Sequence, residues 1–301
     1  MALFRGTEES SNAALTDCEA PHTHTQLGCL WEPAIIVKNA AGRQHINMRC
    51  TLMIAFAACG LTSAASPPSS VIVVGGSSGM GKAAATSVVS RGGRVMIVSR
   101  SEEKLQAAKA TIMESTGCSD QHRVQTHCMD ASDEKSVEAF AATLEHGAWD
   151  GLCVSAAGAA PHGAITSLET SDTQALFGSK FWSAYHCCKH VGPRLADGGA
   201  IAMVAGVLNR RPGINCVPLA AVNGALEGLT RALALEFGPR LRVNCLSPGF
   251  CDTERFDRMP PEKKAAMLAN TADSLPLQRV GTPADMGQAL DYLLSSPFTT
   301  G

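Results

Sequence analysis

Tyrosine is scarce in this chain, with only Tyr185 and Tyr292 among 301 residues. Aromatic residues make up 5% of the sequence. Charged residues make up 17%, compared with roughly 25% in a typical soluble domain. The hydrophobic content of 45% excludes a wholly disordered chain. We therefore expect a large core filled by Ala, Val, Leu and Ile.

An excess of charge of either sign is also missing. Lys and Arg together number 25 and Asp and Glu 27, which gives a formal net charge of −2. Nucleic-acid-binding domains usually carry a basic excess or stripe, so we expect no nucleic-acid partner. The apolar stretch at 50–61 is shorter than the ~17–25 residues of a membrane span, and we expect no such span.

The twelve cysteines contain no C-x-x-C motif. They are too dilute for a disulfide scaffold, which usually exceeds ~8–10% Cys in a short chain. The densest group of metal-ligand types is His186, Cys187, Cys188 and His190 on a predicted helix. Because no remote ligand pair accompanies that group, the sequence predicts ordinary helix packing there and no metal site.

Residues 1–68 are predicted to be a disordered leader or a targeting segment. Within them, Met48-Arg49 precedes the apolar stretch CTLMIAFAACGL and a group of small residues, so residues 48–66 have the layout of a signal peptide. If Met48 is the true start, a secretory or plastid-targeted protein is expected. Otherwise the apolar patch is a chance feature and the protein is expected to be cytoplasmic. The folded domain is predicted over 69–301.

From residue 71 onward, short β-branched apolar runs alternate with helical stretches. Strands are predicted at 71–75, 94–99, 123–130, 151–158, 200–205 and 241–247, and helices at 79–91, 101–115, 133–146, 171–190, 217–237 and 283–294. This alternation predicts a single α/β domain with a Rossmann-type doubly wound parallel sheet. Residues 297–301 read as the lead-in to a further strand, so we expect the last edge strand to be missing.

A glycine-rich turn follows the first predicted strand and opens the first helix. Backbone without side chains and free helix N–H groups are what a pyrophosphate needs at this position. The residues predicted to bind it are Gly75, Ser77, Ser78, Gly79, Met80 and Gly81. The second strand ends in Ser99-Arg100 rather than in an acidic residue. That ending favours the 2′-phosphate of NADP over the ribose of NAD.

In their order along the chain, these motifs resemble the short-chain dehydrogenase/reductase family over about residues 70–301. The resemblance implies hydride transfer between a nicotinamide cofactor and a small carbonyl or alcohol substrate. It also implies a homodimer or tetramer formed through the helices at 171–190 and 217–237. Further cofactor-binding residues implied by it are Asp130, Ala156, Ala157, Gly158, Asn223, Pro248, Gly249 and Thr253.

The residues that carry out catalysis in that family are replaced in this chain. The proton-donating tyrosine falls on Leu219, the lysine on Asn223, the serine on Gly206 and the helix asparagine near Gly178. Leucine cannot donate a proton, and asparagine carries no charge that lowers the pKa of a neighbour.

Other side chains near these positions are candidate substitutes. In the loop before Leu219, Arg210 and Arg211 could hold a substrate anion, and Cys216 could act as an acid if its pKa were lowered. Lys180 is predicted to be a solvated or interface charge. Tyr185 and Lys189 match the family's Tyr-x-x-x-Lys spacing, but they precede the fifth strand and are predicted to be a chance match.

Two hypotheses follow from this sequence. The first is an NADP-dependent oxidoreductase with an altered proton donor. The second is a non-catalytic NADP-binding protein, a pseudoenzyme that serves as a sensor or partner subunit. The fold alone does not separate them.

Overall fold

A computed structural model describes residues 69–301, and the predicted leader at 1–68 with its signal-like segment lies outside the described residues. The described part contains a parallel sheet of six strands in the order β3-β2-β1-β4-β5-β6. The strands are β1 Ser70–Val74, β2 Arg94–Ser99, β3 Val124–Cys128, β4 Gly151–Val154, β5 Ala200–Val204 and β6 Arg242–Leu246. The predicted Rossmann-type α/β fold is confirmed.

Helices cover both faces of this sheet. They are α1 Gly79–Ser90, α2 Glu102–Thr116, α3 Glu134–Thr143, α4 Thr170–Phe177, α5 Ser183–His190, α6 Val217–Phe237, α7 Pro261–Asp273 and α8 Pro283–Ser295. The sequence did not predict α7, because none of its residues is fully buried and it lacks the apolar stripe that marks a packed helix. A π-helical segment, Gly178–Trp182, joins α4 to α5 where a single α-helix was expected.

Alternate residues of β1, β2, β4 and β5 enter two separate apolar clusters. In β1, Ile72 and Val74 face one cluster, and Val71 and Val73 face the other. All four side chains are buried. A parallel sheet covered on both faces needs such uninterrupted apolar strands, which accounts for the low proportion of charged residues.

Helix α8 packs closely on α1, on one face of the sheet. A Cβ atom on Gly287 of α8 would lie 2.7 Å from the carbonyl oxygen of Ala83, so the glycine permits this close approach. Beyond α8, residues 299–301 run beside β6, where the Gly301 N–H donates to Val243 O at 2.8 Å. Within residues 69–301, no helix has the length and apolar character needed to cross a membrane.

The packing of α8 predicts a contrast between two leucines. Leu290 of α8 is 0% exposed, and Leu277 before it is 77% exposed. We expect Leu290→Ala to lower the free energy of unfolding by about 2–5 kcal/mol through lost burial and the cavity left behind. Leu277→Ala should change it by less than about 0.5 kcal/mol. Urea unfolding of the two variants measures this, and equal losses would contradict the packing described.

Candidate functional site

The glycine-rich turn after β1 is folded tightly against its neighbours. Gly75 and Gly79 have φ values of 82° and 53°, a left-handed region that favours glycine. A Cβ atom on Gly81 would overlap the carbonyl oxygen of Gly75. The glycines of the turn therefore put no side chain of their own against the N-terminus of α1, as an anion site requires.

A cleft of about 520 Å³ opens at the carboxyl ends of the strands, beside this turn. Its volume is within the ~300–1,000 Å³ range of small-molecule sites. Of the residues predicted to bind the cofactor, those that line the cleft are Gly75, Ser77, Ser78, Gly79, Met80, Gly81, Ser99, Arg100, Asp130, Ala156, Ala157, Gly158 and Thr253. Asn223, Pro248 and Gly249 lie outside its lining.

The end of the cleft beside β2 has the chemistry of a phosphate site. The hydroxyl of Ser99 is buried and has no hydrogen-bond partner among the described residues. Arg100, Ser101 and Lys104 line the cleft beside it. An unpaired buried hydroxyl beside two cationic side chains fits a ligand with a phosphate at this end. The residues present thus fit a phosphorylated dinucleotide.

A carboxylate is hydrogen-bonded to the N-terminus of α1. The Gly79 N–H donates to Glu254 Oε2 at 2.8 Å, and Lys82 Nζ lies 2.9 Å from Glu254 Oε1. Ser78, the N-cap residue, makes no side-chain capping bond. Glu254 therefore uses a donor that the sequence assigned to a pyrophosphate. Sequence patterns do not predict this contact, because 175 residues separate the two partners.

Lys180 is buried in the π-helical segment, and its prediction as a solvated or interface charge was wrong. Its exposure is only 7%, and it lines the cleft. Its Nζ donates hydrogen bonds of 2.8 Å to Ala205 O and 2.6 Å to Asn223 Oδ1. Burial lowers the pKa of its ammonium group to about 8.

The local helix geometry explains why the prediction for Lys180 failed. It assumed α-helical spacing, which puts Lys180 roughly opposite Gly178. In the structure the Ser183 N–H bonds to Gly178 O across a wider π turn. A Cβ atom on Gly178 would meet nothing within 4 Å. Ser179, Lys180 and Ser183 line the cleft, whereas Gly178 does not.

Gly206 and Asn223, to which the resemblance assigned the family's serine and lysine positions, are in close contact. A Cβ atom on Gly206 would lie 2.8 Å from Asn223 Nδ2. Asn223 is 1% exposed, so its amide has little room to move away. The residues at 206 and 223 are therefore sterically linked. Gly206 leaves space for the Asn223 amide, which accepts a hydrogen bond from Lys180. Leu219 is half-buried on α6, outside the lining of the cleft.

The substitutes proposed from the sequence lie away from the cleft. The Arg210 guanidinium donates to Glu227 Oε2 from Nε at 3.2 Å and from Nη2 at 3.1 Å, and Arg211 is exposed. Cys216 Sγ is 3.6 Å from His162 Nδ1. None of Arg210, Arg211 and Cys216 lines the cleft.

Tyr185 and Lys189 also lie outside the lining of the cleft. The Lys189 ammonium is 2.6 Å from Glu134 Oε1 on α3, in a half-exposed surface pair. Tyr185 is exposed next to Trp182, and their rings meet edge to face with centroids 5.4 Å apart. In residues 69–301, no three His, Cys, Asp or Glu side chains are grouped closely enough to hold a metal ion.

The comparisons with known proteins agree on one protein family. Residues 74–301 match the family model described as enoyl-(acyl carrier protein) reductase. The chain is 29% identical to carbonyl reductase family member 4 of Danio rerio, over 74% of this chain and 90% of that protein.

Two solved structures have the same fold. One is a small-chain dehydrogenase in complex with NADPH, with 32% identity, a TM-score of 0.64, and coverage of 77% of this chain and 93% of that one. The other is an NADPH-bound short chain oxidoreductase from Pseudomonas aeruginosa PAO1 containing an atypical catalytic center. It is 27% identical with a TM-score of 0.69, over 77% of this chain and 92% of that one.

The contact between Glu254 and α1 predicts the effect of neutralising this carboxylate. A negative charge at the helix N-terminus competes with a pyrophosphate for the same donor and repels it. We expect Glu254→Gln to tighten NADPH binding about two- to tenfold, and Glu236→Gln, an exposed change at the end of α6, to leave it unaltered. Fluorescence titration measures both. Weaker binding by Glu254→Gln would show that the carboxylate supports the cofactor instead.

Proposed function

Because the chain belongs to the short-chain dehydrogenase/reductase family, we propose that it is an NADP-dependent oxidoreductase. It would transfer hydride between the nicotinamide and a small carbonyl or alcohol substrate, using an altered proton donor. The observation that carries this proposal is the cleft at the carboxyl ends of the strands. Most of the residues that the sequence assigned to the cofactor line it.

Each part of the cofactor has a complementary group in the cleft. Arg100 and the unpaired Ser99 hydroxyl suit the 2′-phosphate, and the N-terminus of α1 suits the pyrophosphate. The resemblance implies that Asp130, just after β3, contacts the adenine and that Thr253 lies beside the nicotinamide amide. Both residues line the cleft. When bound, the cofactor supplies or accepts the hydride.

The chain itself must then bind the substrate oxygen and move its proton. Leu219 has no proton to give, and the charge of Arg210 is engaged with Glu227. Lys180 is a cationic side chain in the lining of the cleft, and its hydrogen bonds hold its amine between Ala205, just after β5, and Asn223 of α6. This placement supports an enzyme rather than a binding protein.

The second candidate function is NADP binding without turnover. It is favoured by Leu219, which stands at the family's tyrosine position and lies outside the lining of the cleft. In that case, the cleft would hold NADP as a sensor or in a partner subunit. The two candidates predict the same cofactor affinity and differ in turnover.

The phosphate-site chemistry beside β2 predicts a preference for NADPH over NADH. Arg100 offers a guanidinium to the 2′-phosphate, which NADH lacks. Arg100→Ala should weaken NADPH binding about ten- to a hundredfold and change NADH binding less than threefold. Titration of wild type and variant with both cofactors measures this, and NADH serves as the matched control. Equal binding of the two cofactors by the wild type would contradict the preference.

The oxidoreductase proposal predicts turnover of carbonyl substrates by purified protein with bound NADPH. The assay follows NADPH absorbance with a panel of ketones, aldehydes and 3-oxoacyl thioesters, after binding has been confirmed by titration. We expect saturable NADPH oxidation with at least one carbonyl class. Tight NADPH binding with no turnover across the panel, in either direction, would favour the non-catalytic alternative.

A further inference from the structure

We propose that Lys180 is the catalytic acid that protonates the substrate oxygen, in place of the tyrosine that the family uses. This inference rests on the proposed function and names the altered proton donor within it. The position of Lys180 supports this role. Lys180 Nζ is bound to Ala205 O at the end of β5, one residue before the family's serine position at Gly206. Its other acceptor, Asn223, is at the family's lysine position.

The ammonium group of Lys180 has hydrogen-bonding capacity that its protein partners do not use. An ammonium group has three N–H donors. Ala205 O and Asn223 Oδ1 are the two acceptors recorded for it among the described residues. Lys180 also lines the cleft, which leaves its third N–H for a ligand there. A carbonyl oxygen is the acceptor that such a donor would bind and polarise.

The acidity of Lys180 depends on every charged group that faces its amine. Burial, with a smaller contribution from Arg255 in the turn after Thr253, lowers the pKa of Lys180 to about 8. Cys245 of β6 acts in the opposite direction. On α6, Asn223 is neutral, and Glu227 is held by Arg210 and Ser247. The amine is thus protonated at neutral pH and close to the acidity at which general acids work best.

The proton transfer balances without any further reactant. As the carbonyl carbon gains the hydride, the electron pair of the C=O double bond moves to oxygen. An N–H bond of Lys180 breaks and an O–H bond forms, which leaves an alcohol and a neutral amine. Water returns a proton to the amine. In the oxidation direction, the neutral amine takes the proton from the alcohol.

Two substitutions and one matched control test this role. Lys180→Met removes the donor, and Lys180→Arg keeps the positive charge but holds its proton, since the pKa of arginine exceeds ~12. We expect both to lower kcat about 10²- to 10⁴-fold, with the Kd for NADPH changed less than about threefold. Lys189→Met removes an exposed lysine of α5 and should leave kcat within about twofold of wild type.

A second measurement does not depend on turnover. In protein with ¹³C-labelled lysine and no cofactor, one ε-CH₂ resonance should titrate near pH 8. It should be missing from Lys180→Met and Lys180→Arg, which identifies it as the resonance of Lys180. Because reduction needs the protonated amine, kcat for reduction should fall as pH rises through this value. The rate of oxidation should rise over the same range.

The outcomes separate this inference from the function on which it rests. Turnover retained within about threefold by Lys180→Met, or a Lys180 resonance that titrates near ~10.4, overturns the role of Lys180 and leaves the oxidoreductase proposal intact. Loss of turnover in Cys216→Ser with retention in Lys180→Met would assign the proton to the thiol. Wild-type protein that binds NADPH and turns over nothing overturns both proposals. If Lys180→Met no longer binds NADPH, the kcat of Lys180→Arg tests the role of Lys180 instead.

Discussion

The hydrogen bond from Lys180 Nζ to Asn223 Oδ1 is the contact on which the candidate site depends. It joins the π-helical segment to α6 across the end of β5, and it is buried. An ammonium group removed from water is stable only when its donors are satisfied, because an unpaired buried charge costs several kcal/mol. Ala205 and Asn223 satisfy two of the three N–H donors, and they also fix the amine at the edge of the cleft.

This contact connects several residues at positions that the resemblance assigned to catalysis. Asn223, which the resemblance assigned to the family's lysine position, accepts a hydrogen bond from Lys180 of the neighbouring helix. At Gly206, which the resemblance assigned to the serine position, a side chain would collide with the Asn223 amide. The π turn lets Lys180 reach both partners. A positive charge therefore reaches Asn223 of α6 from the segment between α4 and α5.

The fold was predictable because its signals are local. Runs such as Val71–Val74 identify buried strands, and the glycines after them identify the turn and the start of α1. The positions of Lys180 and Glu254 were not predictable in this way. Lys180 depends on a one-residue widening of the helix, and Glu254 reaches Gly79 across 175 residues. Both features place charge at the cleft, so the residues that sequence reasoning missed matter most for the chemistry.

The central claim is that Lys180 contacts the reacting oxygen. The most direct test is a crystal structure of the protein with oxidised cofactor and an unreactive ketone or alcohol analogue. The account predicts Lys180 Nζ within about 2.6–3.2 Å of the ligand oxygen, with the bond to Asn223 retained. A ligand oxygen bound by another donor, with Lys180 more than about 4 Å away, would contradict it.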